Sequence, residues 1–312
     1  MAGFKMRRRL VLAAIETVYG TEVVPTASAN AILTRTVQVT PLAGNDLDRN
    51  LLRAHYGNSQ AIAGEKHVEL TVEVELAGSG TAGTAPAWAP LLRACGFAET
   101  VNAGTDVTYN PITGGEESIS CWVHRDGVLH KFTGGRGTVT FNLDADSLPY
   151  MSFKFLGLLG TVSNEAIPTT ADYSGFLAPL PVTNANTTPL TLHGVPLSFS
   201  QFSIDMAVDT QKDMIVGEET SIQINDRKPT GTAVIKEPPL SVIDLYTKAR
   251  DASSGAFALT HGTVAGNIIE FSGPKVATGS PTEQDKNGTQ MLSVPLTINP
   301  DAGNDELVIT VK

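Results

Sequence analysis

The sequence predicts a mainly β chain made of two halves that repeat one order of elements. The first observation behind this is a strict alternation: Val68, Leu70, Val72, Val74 and Leu76 are apolar, and Glu69, Thr71, Glu73 and Glu75 between them are polar. Period two with one charged face marks a half-exposed strand of an antiparallel sheet. The second is composition. Among 312 residues there are 29 Gly and 18 Pro but only 17% charged side chains, which suits many short strands joined by turns. The third is rhythm: each half reads as strand, loop, strand, short helix, hairpin and two further strands.

At the start, Lys5, Arg7, Arg8 and Arg9 precede the apolar run Leu10–Ile15. Glu16 ends that run too early for a secretory leader, so the segment reads as a basic arm leading into a first strand or short helix. Residues 31–39 (AILTRTVQV) read as a strand. Residues 41–65, rich in Gly, Asn and Asp and carrying Arg49, Arg53 and His55, read as a long loop of the kind that usually has a function. After the alternating strand, the AGSGTAGTA stretch reads as flexible. Pro86 opens a short helix from Ala87 to Cys95, which Gly96 stops. Residues 118–158 read as a meander. Asp126-Gly127 between two apolar runs is a strong hairpin signal, a Gly134-Gly135 turn leads to Val139, Phe141 and Leu143, and Pro149-Tyr150 opens a last strand.

Residues 161–190 are rich in Thr, Pro, Asn and Ala and form the best linker. Beyond them Phe202, Ile204, Met206 and Val208 alternate with polar residues, a polar loop covers 210–219, and two strands flank Asn225–Lys228. A short helix follows, capped by Ser241 with Asp244 three residues on. A His261-Gly262 turn and strands near 290–298 and 306–312 complete the half. One local echo supports the repeat: Ala61–His67 matches Gln223–Pro229.

The charge balance, 22 Lys+Arg against 32 Asp+Glu, gives −10, opposite to what a phosphate-neutralising nucleic-acid binder needs. No apolar run is long enough for a membrane-spanning helix. Cys95 and Cys121 cannot make a disulfide framework and read as buried small hydrophobes. Gly78-Ser79-Gly80-Thr81-Ala82-Gly83 is formally GxGxxG. The strand before it has a charged face and the helix after it is too short, so it reads as a loop of small residues, not a nucleotide cradle. His124 and His130 flank the Asp126-Gly127 turn and read as a solvated pair. Asp144-Ala145-Asp146 and the Asp301–Glu306 cluster read as turn chemistry. No nucleophile–base arrangement stands out, and the reading assigns no enzyme activity, catalytic residue, cofactor or metal site.

The stretch Arg9–Thr21, the following Ala29–Leu33, the block Gly78–Gly80 to Ala85-Pro86-Ala87, then Leu91–Phe97, resemble the major tail tube proteins of long-tailed (siphovirus-type) bacteriophages. The resemblance is clearest over about residues 8–160; in the second half Arg227–Thr232 is the most family-like stretch. It implies two tandem tail-tube-like β-sandwich or barrel domains, each with a short flanking α-helix. Residues 1–165 would be the first, with the arm and a stacking loop at about 41–65; 166–190 would be a linker and 191–312 the second domain. It implies a structural virion protein of the tail, made in the host bacterial cytoplasm, that stacks as rings into a conduit for DNA ejection. Trimeric, pseudo-hexameric rings are expected if the chain is duplicated, hexameric rings otherwise. The implied partners are copies of itself, a tape measure protein, a tail terminator and tail-tip proteins; genomic DNA passes through without specific binding, and no membrane is involved. Net negative charge suits such a conduit, since like charge disfavours phosphate contacts that would act as brakes. Glu69, Glu73 and Glu75 are the candidates for facing the lumen, the alternative being the outer solvent. Arg7, Arg8, Arg9, Arg49, Arg53 and Lys212 are the candidates for ring-to-ring contacts. The rival readings are a β-rich surface or adhesin module and a tube protein of a contractile secretion system.

Overall fold

The computed structural model describes residues 3–312. It is mainly β, with 49% of residues in strands and 4% in two short helices. The apolar run near the N-terminus forms β1 (Arg9–Ile15), followed by β2 (Ala31–Ile32) and β3 (Thr36–Ala43). The long loop holds only the small pair β4 (Asp46–Leu47) and β5 (Ile62–Ala63). The alternating segment is β6 (His67–Glu75), with Val68, Leu70, Val72 and Val74 buried. Helix α1 (Ala89–Arg93) is shorter than the sequence predicts: Trp88 provides no side-chain cap, and Gly96, at φ +79°, follows its end. The hairpin of β7 (Phe97–Asn102) and β8 (Asp106–Pro111) leads to the meander β9 (Ile119–Arg125), β10 (Val128–Asp144) and β11 (Tyr150–Asn164).

Asp126 and Gly127 both take positive φ, the geometry a two-residue hairpin needs. Gly134-Gly135 does not make the expected turn. The register shifts there while β10 continues, so the glycines form a bulge. The reason is local: a Cβ at Gly135 would strike Phe132 and Ile119, and one at Gly157 would strike Phe132 again. Both glycines make room for that buried ring.

The segment 165–189 packs first on the first half and then, through Asn186–Thr188, on the end of the strand at 254–261 in the second. Ile167, Ala171 and Tyr173 pack on a small apolar cluster with Leu10, Leu12, Ala27 and Ala31. Val182 is buried and exchanges backbone hydrogen bonds of 2.9 Å with Asp146 and Ser147. The chain continues as β12 (Leu190–Leu192), β13 (Val195–Leu197), β14 (Phe199–Asp205), β15 (Val208–Asp213), β16 (Ser221–Arg227) and β17 (Thr230–Lys236). Helix α2 (Leu245–Arg250) is capped by Asp244, which accepts from Thr247 N at 2.9 Å. Ser241 is therefore not the cap; the helix begins one turn later than the sequence predicts. Last come β18 (Ser254–His261), β19 (Ile269–Thr278), β20 (Thr282–Lys286), β21 (Thr289–Asn299) and β22 (Val308–Val311).

All pairings are antiparallel. In the first half they run β2, β1, β9, β10, β11, β6, β3. In the second they run β13, β12, β18, β19, β21, β17, β14, with β20 continuing the line of β19 along β21. Both orders are the same, and each half carries its helix between the corresponding strands. The halves are joined because β10 is long: β9 occupies the first part of one edge, and β14 pairs with Thr140–Asp144 on the rest. A second join runs from β19 through β22 to β8. The pairings branch but never return to a strand already in the network, so the sheet stays open and no closed barrel forms. One large apolar cluster, from Val11 to Val311, includes buried residues of both halves.

Candidate assembly interface

The register aligns polar side chains across the whole sheet. One row passes from Thr36 through Glu73, Ser152, Thr140, Asp205 and Thr230 to Thr297, crossing seven strands. The neighbouring row is Glu75, Tyr150, Asn142, Ser203, Thr232 and Pro295. Between them, on the other face, Val74, Met151, Phe141, Ile204 and Leu296 point into the core, with Gly231 in the same row. Strand alternation thus makes one face of β3–β6–β11–β10–β14–β17–β21 apolar and the other a continuous surface of Thr, Ser, Asn and Gln. Its charged members are Glu69, Glu73, Glu75, Asp144 and Asp205 against Arg136, Lys154 and Lys236. Partial burial lifts the Asp144 carboxyl above the ordinary carboxylate range, with Lys286 pulling it the other way. Glu69, Glu73 and Glu75, singled out from the sequence, therefore share one face, with Glu69 3.5 Å from His67.

The two loops expected to contact other rings meet at Glu65. Lys212 on β15 donates to the Glu65 carbonyl at 3.0 Å, and the Thr220 hydroxyl donates to the Glu65 carboxylate at 2.8 Å. Beyond this base both loops present apolar side chains to solvent: Leu52, Tyr56 and Val216 are essentially fully exposed, and Leu47, Leu51, Met214 and Ile215 largely so. Large apolar residues gathered on two loops that share a base mark an interaction surface, whereas scattered ones would be ordinary. Arg49 and Arg53 are exposed on the longer loop. The basic arm divides. Arg7 is exposed, Arg8 pairs with Asp126 at 2.8 Å, and Arg9 donates to the Val37 carbonyl. Arg8 and Arg9 thus already hold the arm to the β9–β10 turn and to β3 within one chain.

Two motifs have other uses than the sequence implies. The glycine-rich loop 78–83 is a backbone-to-backbone join. Gly80 N donates to Gly266 O at 2.9 Å and Gly78 N to the Asn267 side chain at 2.7 Å; a Cβ on Gly78 or Gly266 would overlap the opposite backbone. Arg227, in the family-like stretch, pairs with the buried Glu306 and donates to the Ile112 carbonyl and the Asn304 side chain. It ties β16 to the loop after β8 and to the loop before β22.

His124 and His130 are buried, not solvated, because the hairpin packs under the arm; their partners across it are Leu129 and Val123. Asp305 accepts from the backbone N–H groups of Asp301, Ala302 and Gly303, which is turn chemistry. Burial pushes the Cys95 and Cys121 thiols up, so neither is a reactive thiolate. Among the described residues no group of three or more His, Cys, Asp or Glu could hold a metal ion.

Sequence reasoning missed β20. The signal was present: Asn287-Gly288 between two strands, both at positive φ, is the strongest two-residue hairpin dipeptide. It also missed Glu16 as a structural hub, since an isolated carboxylate after an apolar strand carries no such pattern. Aligning the halves through the partners of β11 and β21 puts Val74 with Ile235. The echo of Ala61–His67 is therefore shifted by one residue from Gln223–Pro229.

No curated protein matches the chain. The family model described as "Phage tail tube protein" matches residues 6–299, nearly the whole length and both halves. With its open antiparallel sheet, continuous polar face and exposed apolar loops, this chain belongs to the phage tail tube protein family.

Proposed function

We propose that this virion tail protein polymerises as stacked rings into the tail tube, with three copies per ring, and that the tube is the conduit for DNA ejection. The family is a structural one. The observation that carries the finer reading is the common strand order of the two halves, joined edge to edge at β10 and β14. We read 1–165 and 191–312 as two tube units and 166–190 as the segment between them. Two units in each of three chains fill six similar positions.

The polar face lines the lumen in this reading. Its short hydroxyl and amide side chains and its acidic excess give DNA little to hold, since duplex binding is dominated by cationic contacts to phosphate. Glu69, Glu73 and Glu75 belong to that lining. The loop at 41–65, the β15–β16 loop, Arg49, Arg53 and Arg7 make the ring-to-ring contacts. Lys212 serves them by fixing the loop base. A tape measure protein occupies the lumen before DNA does, and terminator and tip proteins close the two ends.

Electron microscopy of the purified protein and of tails, with rotational analysis of end-on rings, tests this. Hollow tubes with threefold rings of six similar lobes are expected. Sixfold rings of whole chains would discard the two-unit reading, and a chain that never assembles, even with tail partners, would overturn the tube itself.

A further inference from the structure

The chain has a formal net charge of −10, yet one corner of it is positive. Arg9 on β1 lies directly opposite Arg125 on β9. On the next strand Val128 is opposite Arg125, and His130 is opposite Val123. Strand alternation therefore puts Arg9, Arg125, Val128 and His130 on one face. Further along that face Val11, Val123 and Phe132 belong to the apolar core, so the cations stand at its mouth. Phe4, Lys5 and Met6 of the arm complete a half-enclosed pocket of about 240 Å³ there.

As it stands the arrangement is unfavourable. Like charges directly opposite each other across a strand pair are destabilising, and Lys5 adds a third cation. No carboxylate lines the pocket. Neighbouring Asp126 is already engaged: it accepts from the Lys5 backbone N–H at 2.6 Å and pairs with Arg8 at 2.8 Å. Among the described residues, the Lys5 ammonium, Arg9 and Arg125 form no ion pair. Arg9 donates to the Val37 carbonyl and the Met6 sulfur, which leaves N–H groups of its guanidinium to spare. The floor of the pocket is His130, 8% exposed, whose Nδ1 has no hydrogen-bond partner among the described residues. Burial first and Arg125 second hold its imidazole below the ordinary value, so the ring already feels the positive field. A buried polar atom without a partner calls for an explanation, and a ligand is one.

We propose that this pocket binds a small tetrahedral oxyanion of the phosphate class, and that the bound anion pins the basic arm to β1 and β9. The Lys5 ammonium, the spare N–H groups of Arg9 and Arg125, and the His130 Nδ1–H supply its donors. Charge-assisted bonds of this kind are the strong ones. The anion offsets the repulsion between Arg9 and Arg125 and adds a ligand-dependent latch to the Arg8–Asp126 pair. A half-enclosed pocket in an acidic chain suits a free anion better than the backbone of a nucleic acid. None of the pocket residues belongs to the polar face, so the site stands independently of the ring reading.

Inorganic phosphate, added to the full chain and followed by amide NMR at constant ionic strength with sodium chloride as control, tests it. Saturable shifts centred on Lys5–Arg9, Arg125 and Val128–His130 are expected, and amide exchange of the arm should slow when phosphate is bound. Shifts that never saturate, or that chloride reproduces, would overturn the site. Arg125→Gln removes one of two opposed cations and Lys5→Gln lies on the exposed arm, so both variants keep the core. Each should weaken phosphate binding by about tenfold or more. Unchanged affinity in both would place the anion elsewhere and overturn the proposal. A short DNA duplex should leave the same amides unshifted. Saturable shifts there, at a lower phosphate concentration than the inorganic ion needs, would overturn the assignment to a free anion.

Discussion

Glu16 shows how much one side chain can organise. It is buried, and its carboxylate accepts from the Ser118 and Ser120 hydroxyls at 2.6 and 2.8 Å and from the Gly20 and Gly134 N–H groups at 2.8 Å. These bonds tie β1, β9 and the β10 bulge together. Glu16→Ala leaves four donors without their acceptor, and the expected loss is about 3 kcal/mol or more, read by denaturant unfolding. The histidines are a second residue-scale test. Burial holds His124, His130, His193 and His261 below the ordinary imidazole value. At His124, Glu165 opposes burial and Lys131 reinforces it. Above about pH 6.5 these groups are neutral in both folded and unfolded chains, and their contribution to stability is complete. As pH falls below that, the unfolded chain takes up protons the folded chain refuses, and stability is lost. Thermal unfolding temperature should therefore fall between about pH 7 and pH 5. His124→Leu, among apolar neighbours, should flatten that fall; an unchanged pH slope would exclude His124 as a source.

At the level of elements, the glycine-rich loop and the long loop make different demands. Gly266 sits at φ +85° with Gly80 and Thr81 backbone where a Cβ would go. Gly266→Ala is expected to cost more than about 1–2 kcal/mol, the left-handed penalty alone, because the opposing backbone must also move apart. A calorimetric scan would show a lower unfolding temperature, and an unshifted transition would mean that the loop–loop join contributes little. The loop at 41–65 makes few contacts with its own chain beyond the β4–β5 pair and the Glu65 and Lys66 anchors at its base. Deleting residues 44–62 should leave a folded, soluble protein that forms no tubes by electron microscopy. Normal tubes from that variant would remove the loop from ring stacking. Helix α2 offers a smaller check: Asp244→Ala should cost about 1 kcal/mol, and Ser241→Ala close to nothing, because Asp244 is the cap.

For the whole molecule, the decisive feature is that seven strands from both halves share one polar face. Replacing Glu69, Glu73 and Glu75 together with Lys reverses the sign of that face on β6 without touching the core residues between them. The variant should assemble tubes, and phage carrying it should eject DNA more slowly, with the difference shrinking as salt is raised. Ejection at the normal rate, in tubes where these positions are shown to face the channel, would show that lumen charge does not control passage.

Much of this was legible in order along the chain. Strict alternation, as in Val68–Leu76, is a local property of a half-buried strand, so β6 and its buried face could be read residue by residue. Hairpin dipeptides such as Asp126-Gly127 act over four residues and were equally readable, and Asn287-Gly288 would have revealed β20 by the same rule. The repeat of element order also needed no more than spacing. What the sequence could not supply are the relations between segments far apart in it. Whether Gly134-Gly135 ends a strand or bulges it depends on the Phe132 ring that the fold lays over Gly135 and Gly157. The glycine-rich loop meets Gly266, Arg227 meets Glu306, and Lys212 meets Glu65 only because two halves pack on one core. The pairing of β14 with β10 is a choice among backbone edges, and backbone hydrogen bonds look alike from any sequence. Packing of the shared apolar cluster makes that choice, because only this register sends Phe202 and Ile204 into the core beside Phe141 and Leu143.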